Sequence, residues 1–339
     1  MIPGFFGFVN FGRLVYFGHV REYLEDACAR EKIRVEIHGV RLGPTSSLSK
    51  RAAELLREIH ESAPAGAPIH LVGHSTGGLD ARLLVAPNVT LTTDLDVEAA
   101  VRNVRSLVAV ASPHRGTPLA AFFSSLLGQQ LLRLLSLATI TVLRKGRIPA
   151  AVFTHAARVL ARIAIERTSA PVALLDHLER ELVGNLEPEQ HDLIDGFLKN
   201  IHGDQDLMPQ LTPAAMDLFQ AATADRPSIR YGCISAHAAP PSVRARLKLG
   251  VHPYQQATYS LYAWLHRRVG EGDGIVPLAS QSHGESLYQA RADHLDVLGH
   301  FADGDAKPPH VDWLNSGSGF DRPQFEALWT SVARFIARR

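Results

Sequence analysis

The sequence predicts an α/β fold, with a mostly parallel sheet flanked by helices and a helical insertion between two of its strands. Three observations carry that expectation. Apolar runs of strand length alternate with amphipathic stretches of helical period through the first third of the chain. A tight turn, Gly73-His74-Ser75-Thr76-Gly77, joins one such run to a helix-compatible stretch. From about Leu119 to Gln220 strand signals vanish, and segments rich in Leu, Ala and Ile with helical spacing take over.

The chain has 339 residues, 46% apolar and 20% charged, enough to bury the core of one α/β domain with a large insertion. The expected division is a core formed by residues 1–118 and 221–339, with a helical cap, or lid, over 119–220. Formal net charge is +1 and no basic cluster resembles a nucleic-acid arm, so nucleic acid is not an expected partner. No apolar run reaches the length of a membrane span. The two cysteines, Cys28 and Cys233, are too few for a disulfide framework or a clustered thiolate metal site and read as buried free thiols. Met1-Ile2-Pro3-Gly4 enters folded-looking sequence with no signal-peptide pattern. The expected location is therefore the cytoplasm, or outside the cell where a leader has been removed.

Residues 1–18 mix six aromatics with glycines, which suits a loop that approaches a site closely while burying apolar surface around it. Met1-Ile2 reads as the tail of a strand at a sheet edge. A helix is expected from about Val20 to Arg30, and Lys32 to His38 alternates like a strand. Ser46 to His60 is amphipathic, with Ala52, Leu55, Leu56 and Ile59 on one face. Pro64-Ala65-Gly66-Ala67-Pro68 punctuates the chain before the apolar run that starts at Ile69. Ser106 to Ala111 is a further buried-strand candidate, followed by Ser112-Pro113-His114-Arg115-Gly116-Thr117-Pro118.

In the insertion, Leu126, Leu127, Leu131, Leu134 and Leu135 trace one wide apolar stripe. Val152, Ala156, Val159, Leu160 and Ile163 trace another. Such faces serve either as ordinary core or as a cap looking into a site. Ile229 to Ala236 returns to strand character, and Pro253 to Arg268 is a helix candidate. A last strand is expected near Ser286 to Arg291, and an amphipathic helix from Arg322 to Arg338 ends the chain.

The chemistry centres on Ser75. G-x-S-x-G between a strand and a helix is the setting of a nucleophile elbow, in which the serine takes strained backbone angles and its hydroxyl stands clear of the sheet. Side chains at Gly73 and Gly77 would clash with the neighbouring strand or helix. A serine hydroxyl needs a base to take its proton, and the base needs an acid to fix its tautomer. In an α/β-hydrolase fold these follow in the order Ser, Asp or Glu, His. Asp273 stands in a glycine-flanked turn late in the chain, where it is either that acid or a turn-forming Asp bonded to its own backbone. His294, His300 and His310 follow it. His294 comes directly after the expected last strand and is the preferred base, with His310, nearer the final helix, as its rival. His283 is too close to Asp273, and His74 is expected to face away from the reaction centre and to pack or hydrogen-bond locally. The backbone N–H groups of Thr76 and Phe5 are the expected oxyanion donors.

PGFFGF near the start, GHSTGG, ASPHRGTP, GDGIVP and ADHLD, in that order, resemble the bacterial true lipases, the triacylglycerol lipase group typified by Pseudomonas and Burkholderia enzymes. The resemblance spreads over most of the chain and is weakest through the insertion. It implies an α/β-hydrolase fold with Ser75, Asp273 and His294 as nucleophile, acid and base, Phe5 and Thr76 as oxyanion donors, and Ser112–Pro118 as a brace. The sequence departs from the family in beginning its early loop Pro3-Gly4 rather than His-Gly. Those lipases also hold a structural calcium near the base. Asp296 matches one ligand, His300 stands where a glutamine ligand would fall, and no partner carboxylate is identified upstream. No cofactor is expected for the reaction itself.

The expected function is a serine carboxylic-ester hydrolase, a lipase or esterase acting on esters with hydrophobic acyl chains through an acyl-enzyme. Its partners would be a small-molecule ester or lipid and a lipid interface. Two alternatives use the same residues differently: acyl transfer to an alcohol, and a non-catalytic hydrolase-like protein that binds a lipid or a partner.

Overall fold

Four short runs pair into one sheet: β1 (Ile69–His74), β2 (Val104–Val110), β3 (Arg230–Ala236) and β4 (Glu285–Ala290). They lie in the order β1-β2-β3-β4, with every neighbouring pair parallel. This is a computed structural model, and it describes residues 1–5, 16–124, 206–249, 253–303, 312 and 314–338. Around the sheet lie α1 (Gly18–Arg30), α2 (Leu48–Ser62), α3 (Thr76–Val85), α4 (Val97–Val101) and α5 (Pro118–Phe123). Then follow α6 (Leu207–Gln210), α7 (Pro213–Ala222), α8 (Val243–Lys248), α9 (Pro253–Val269) and α10 (Arg322–Ala337).

A parallel sheet needs cover on both faces, and the strand sequences show it. Leu71, Leu107 and Ala109 pack with Ala52, Leu55 and Leu56 of α2 and Leu84 of α3. Their strand neighbours Val72, Val108 and Val110 join Leu24 of α1 and Leu328, Trp329 and Val332 of α10 on the other face. Each fully buried Leu, Val or Ile of this kind stabilises the fold by about 1.5–3 kcal/mol. Local signals mark the helix starts. Ser47 accepts from the Lys50 N–H at the start of α2, and Asp321 forms a capping box with Gln324 ahead of α10.

Among the described residues the expected elements are found to within a few residues at their ends, with one correction. Lys32 to His38 was expected as a strand, and no strand forms there. Its exposure nevertheless alternates, Ile33, Val35 and Ile37 being half-buried against the core while Lys32, Arg34, Glu36 and His38 are exposed. The period of a strand is present without a ladder: β1 does not pair with it, and among the described residues Met1 hydrogen-bonds to its end. Ile2 pairs with Gly73 as an isolated parallel bridge. The expected aromatic loop at residues 6–15, the apolar stripes of the insertion at 125–205 and the rival base His310 lie outside the described residues. Cys28 and Cys233 are buried and free. Among the described residues, no helix is long and apolar enough to cross a membrane.

Candidate active site

β1 delivers the chain into the turn and α3 carries it away, so Ser75 is held at the junction with φ 55° and ψ −127°. A non-glycine residue keeps such angles only where its surroundings hold it there. Here the Ser75 N–H donates to the Val110 carbonyl at the end of β2 (2.8 Å). A Cβ on Gly73 would run into the Gly77 backbone, and one on Gly77 into the Ile2 carbonyl. Both glycines therefore let the strand, the helix and the N-terminal segment close around the serine. Gly4 does the same from above: a Cβ there would stand 2.6 Å from the Ser75 Cβ and 3.1 Å from its hydroxyl. Gly4→Ala is expected to push the Pro3-Gly4-Phe5 loop off the serine and to cut turnover by about 10²-fold, the scale of a 1 Å misplacement. Steady-state kinetics beside a melting curve would separate this loss from unfolding.

Asp273 is fully buried, and its two carboxylate oxygens divide the work. Oδ1 accepts from the N–H groups of Ile275 (2.8 Å) and Val276 (2.7 Å), which shapes the turn. Oδ2 lies 2.7 Å from Nδ1 of His294. The turn-forming role and the acid geometry thus coexist in one residue. The His294 N–H also donates to the Asp273 carbonyl (3.0 Å), so backbone and side chain both tie the two together. An ionised carboxylate only accepts, so Nδ1 carries the proton and Nε2 of the neutral ring is left as the acceptor. Phe5, Ser75, Thr76 and His294 line one small cavity of about 60 Å³. All five predicted site residues therefore meet at one place.

No family model matches the sequence, and no curated protein matches it. Solved structures match in shape. Lipase 1 from Pelosinus fermentans aligns with a TM-score of 0.57 at 17% identity, over 100% of this chain and 97% of its own. Staphylococcus hyicus lipase aligns at 0.52 and 16% identity, over 99% and 94%. EstA from Clostridium botulinum aligns at 0.51 and 17% identity, over 94% and 85%. The chain shares the fold of these bacterial proteins.

Several residues that hold the site were either given another place by sequence reasoning or not singled out by it. His74 was expected to turn away from the reaction centre. Instead it is buried with its ring centroid 4.6 Å from that of His294. Its Nε2 donates to the His294 carbonyl (2.9 Å), so its Nδ1 accepts from the Tyr16 hydroxyl (2.6 Å). The Tyr16 oxygen in turn accepts from the Gly4 N–H (3.3 Å). Burial, and then the charge His294 would carry, keep the His74 pKa well below its ordinary value, so the ring stays neutral. One chain of hydrogen bonds thus links the early loop, the elbow and the His294 loop.

Arg51 and Asp80 form a second anchor, both side chains fully buried. The guanidinium grips the Asp80 carboxylate through Nε (3.0 Å) and Nη2 (2.6 Å). It also donates to the carbonyls of Gly43 (2.7 Å) and Pro3 (2.8 Å). The last bond pins the loop that carries Phe5. A signal existed in the sequence, since Arg51 interrupts the apolar stripe of α2 formed by Leu48, Ala52, Leu55, Leu56 and Ile59.

The Ser112–Pro118 segment braces the acid turn. Its Arg115 N–H donates to the Ser280 hydroxyl (2.9 Å), and the Thr117 hydroxyl donates to the Ile275 carbonyl (2.6 Å). Gln281 donates to the carbonyls of Ala236 (2.9 Å) and Val276 (3.1 Å) and reaches Asp273 Oδ2 at 3.3 Å. Apolar side chains make up most of the remaining cavity wall, among them Leu119, Phe123, Met208, Leu211, Leu261 and Leu265. Four of these come from the described ends of the expected cap, 119–124 and 206–220.

Beside His294 stands a carboxylate cluster. Asp296 has partners after all: Asp293, which stands upstream and was passed over, and Asp312, which lies downstream. Their ligand oxygens lie within 4.8 Å of one another, and Asp293 Oδ2 has no hydrogen-bond partner among the described residues. Burial, joined by the charge of Asp293, pushes the pKa of Asp296 well above the ordinary value and that of Asp312 up to about 7. Two buried carboxyls and one half-buried one, with an oxygen left over, fit a hard cation such as calcium. His300 is not among them.

Proposed function

We propose that the protein is a serine carboxylic-ester hydrolase of the α/β-hydrolase fold, a lipase or esterase in which Ser75, His294 and Asp273 are nucleophile, base and acid. The observation that carries this reading is the 2.7 Å pair between Asp273 Oδ2 and His294 Nδ1, set against the same cavity as a serine held at φ 55°. His294 Nε2 accepts the Ser75 proton as the hydroxyl attacks the ester carbonyl. Asp273 keeps the ring in the required tautomer and stabilises the imidazolium. The oxyanion forms beneath the N–H groups of Phe5 and Thr76, the latter at the start of α3, where the helix dipole favours negative charge. His294 then returns the proton to the leaving alkoxide, and water cleaves the acyl-enzyme by the same steps.

The apolar cavity wall supports a hydrophobic acyl chain as substrate. A series of p-nitrophenyl esters from short to long acyl chains tests this. Rising kcat/KM with chain length is the expected outcome, and absence of hydrolysis across the whole series would overturn the reading. The ordered blocks from GHSTGG to ADHLD support placement near the Pseudomonas and Burkholderia true lipases.

The Asp293, Asp296 and Asp312 side chains would hold a calcium ion. It would supply no chemical step. Its charge would neutralise three crowded carboxylates and fix the loop that presents His294, to which the Ser318 hydroxyl already adds a bond at Asp296 Oδ2 (2.7 Å). Calcium at about 100 times its Kd should stabilise the fold by about 2.7 kcal/mol, read as a rise in Tm of several degrees. A chelator should reverse the rise, and Asp296→Asn should abolish it.

A further inference from the structure

Formal net charge is only +1 over the whole chain, yet residues 226–270 carry seven Lys and Arg and no Asp or Glu. With 34 acidic residues spread over 339, a stretch of that length would ordinarily hold about four or five. Such a segment presents positive potential wherever its cations reach solvent. Within it lies α8, whose Arg244 and Arg246 are exposed and form no ion pair with a described residue. Arg246 Nε donates instead to the neutral side-chain amide of Gln256 (2.9 Å). The same helix carries two of the three large apolar side chains that stand in solvent among the described residues. Val243 is 76% exposed and Leu247 75%.

Helical geometry sorts these side chains. At about 100° per residue, Val243 and Leu247 share one face, with Arg244 about 80° to one side and Arg246 about 80° to the other. Ala245, and Leu249 just past the helix end, point the opposite way and pack against Ala238, Tyr259 and Tyr262. The start of the helix is clamped as well. The Ser242 N–H donates to the Tyr259 hydroxyl (2.7 Å), which donates back to the Ser242 carbonyl (2.8 Å). Packing on the far side therefore holds the apolar pair outward. The helix also stands near the site. All four strands run parallel, so Ser75 after β1, α8 after β3 and His294 after β4 leave the same edge of the sheet. Ahead of α8, the Ala238 N–H donates to the Gly272 carbonyl (2.9 Å), next to Asp273. Behind it, α9 supplies Leu261 and Leu265 to the wall of the Ser75 cavity.

We propose that α8 is an anchor for an anionic lipid surface, Val243 and Leu247 entering the headgroup boundary while Arg244 and Arg246 meet lipid phosphates on either side of them. The choice of partner rests on the ester-hydrolase reading, since a lipid surface held at this edge supplies a hydrophobic ester directly to the Ser75 cavity. The apolar pair separates a bilayer from other polyanions. A nucleic acid or an acidic peptide would satisfy the arginines and leave both aliphatic side chains in water. A lipid surface takes up all four. Burial of so few apolar groups gives weak attachment by itself, and the flanking cations supply the second signal that makes binding stable.

Vesicle sedimentation with the full chain tests the proposal. The vesicles are ether-linked phosphatidylcholine, alone or in equal parts with ether-linked phosphatidylglycerol, so they hold no ester for the site to cut. Two double variants accompany the wild type: Val243→Ser with Leu247→Ser, and Arg244→Gln with Arg246→Gln. The wild type should bind the anionic vesicles at least about tenfold more tightly than the neutral ones, and salt should weaken that binding. Each double variant should lose about tenfold or more in affinity for the anionic vesicles. Equal binding to both vesicle types, binding to neither, or binding that survives both pairs of substitutions would overturn the proposal. A double-stranded oligonucleotide or polyglutamate that binds as tightly as the anionic vesicles, and is indifferent to the serine pair, would also overturn it by making α8 a general polyanion site. Soluble p-nitrophenyl butyrate, assayed in the same samples, keeps this inference apart from the hydrolase reading. Both double variants should cleave it at the native rate with Tm unchanged, and a loss there matching the loss of vesicle binding would assign α8 a structural role instead. Hydrolysis by the wild type without vesicle binding sinks the anchor alone. Vesicle binding with the expected losses but no hydrolysis sinks the hydrolase reading and leaves the anchor standing.

Discussion

Replacing His294 by alanine should lower ester hydrolysis by about 10⁴- to 10⁶-fold, while His310→Ala leaves it near the native rate. The size follows from what the ring does. Without Nε2 as acceptor the Ser75 hydroxyl stays protonated, and what remains is the contribution of the oxyanion donors and of binding. Asp273→Asn should cost about 10⁴-fold, because an amide donating to Nδ1 would force the proton onto Nε2, the atom that must accept. Asp273 also shapes its own turn through Oδ1, and asparagine retains that oxygen, so the loss should fall on kcat with little change in Tm. If His310→Ala abolished activity while His294→Ala kept it, the base would be misassigned.

The second large effect concerns stability. Arg51→Met leaves the Asp80 carboxylate buried with its ion-pair partner gone, and breaking a buried pair in this way costs about 3–5 kcal/mol. Asp80→Leu should cost a similar amount by stranding the guanidinium. Burial already raises the Asp80 pKa to about 6 against the pull of Arg51, which shows how poorly the pocket would tolerate the lone carboxylate. The double variant removes both charges, and a hydrophobic pair of similar volume is often neutral or better. We expect it to recover most of the lost Tm. We expect it not to recover full kcat, because the 2.8 Å bond from Arg51 to the Pro3 carbonyl is gone and the loop carrying Phe5 is no longer pinned. A pair with no role at the site would recover both together.

How much of this was legible in the sequence depended on the range of the physics. The elbow could be read because its demands are local: a strand, two small residues flanking Ser75, and a helix. Asp273 could be read because glycines mark its turn, and His294 because it follows the strand after that turn. The supports could not. The chain from Gly4 through Tyr16 and His74 to the His294 carbonyl joins residues up to 220 apart, and no single segment carries its pattern. Asp312 joins Asp293 and Asp296 from well beyond them in the sequence, so spacing alone did not gather the three. Arg51 stood in plain view on an apolar stripe, and its meaning required knowing that Asp80 lay opposite. Lys32–His38 is the reverse case. Its alternation was legible, but a ladder needs a neighbouring strand, and among the described residues only Met1 hydrogen-bonds to its end.

The central claim is that Ser75 is an activated nucleophile, and a fluorophosphonate probe tests it most directly. Intact-mass analysis and peptide mapping of the folded protein should find one adduct per chain, on Ser75, absent in Ser75→Ala and formed far more slowly in His294→Ala. A folded wild-type protein that takes up no probe, or takes it up on another residue, would contradict the account and favour a hydrolase-like binding protein instead.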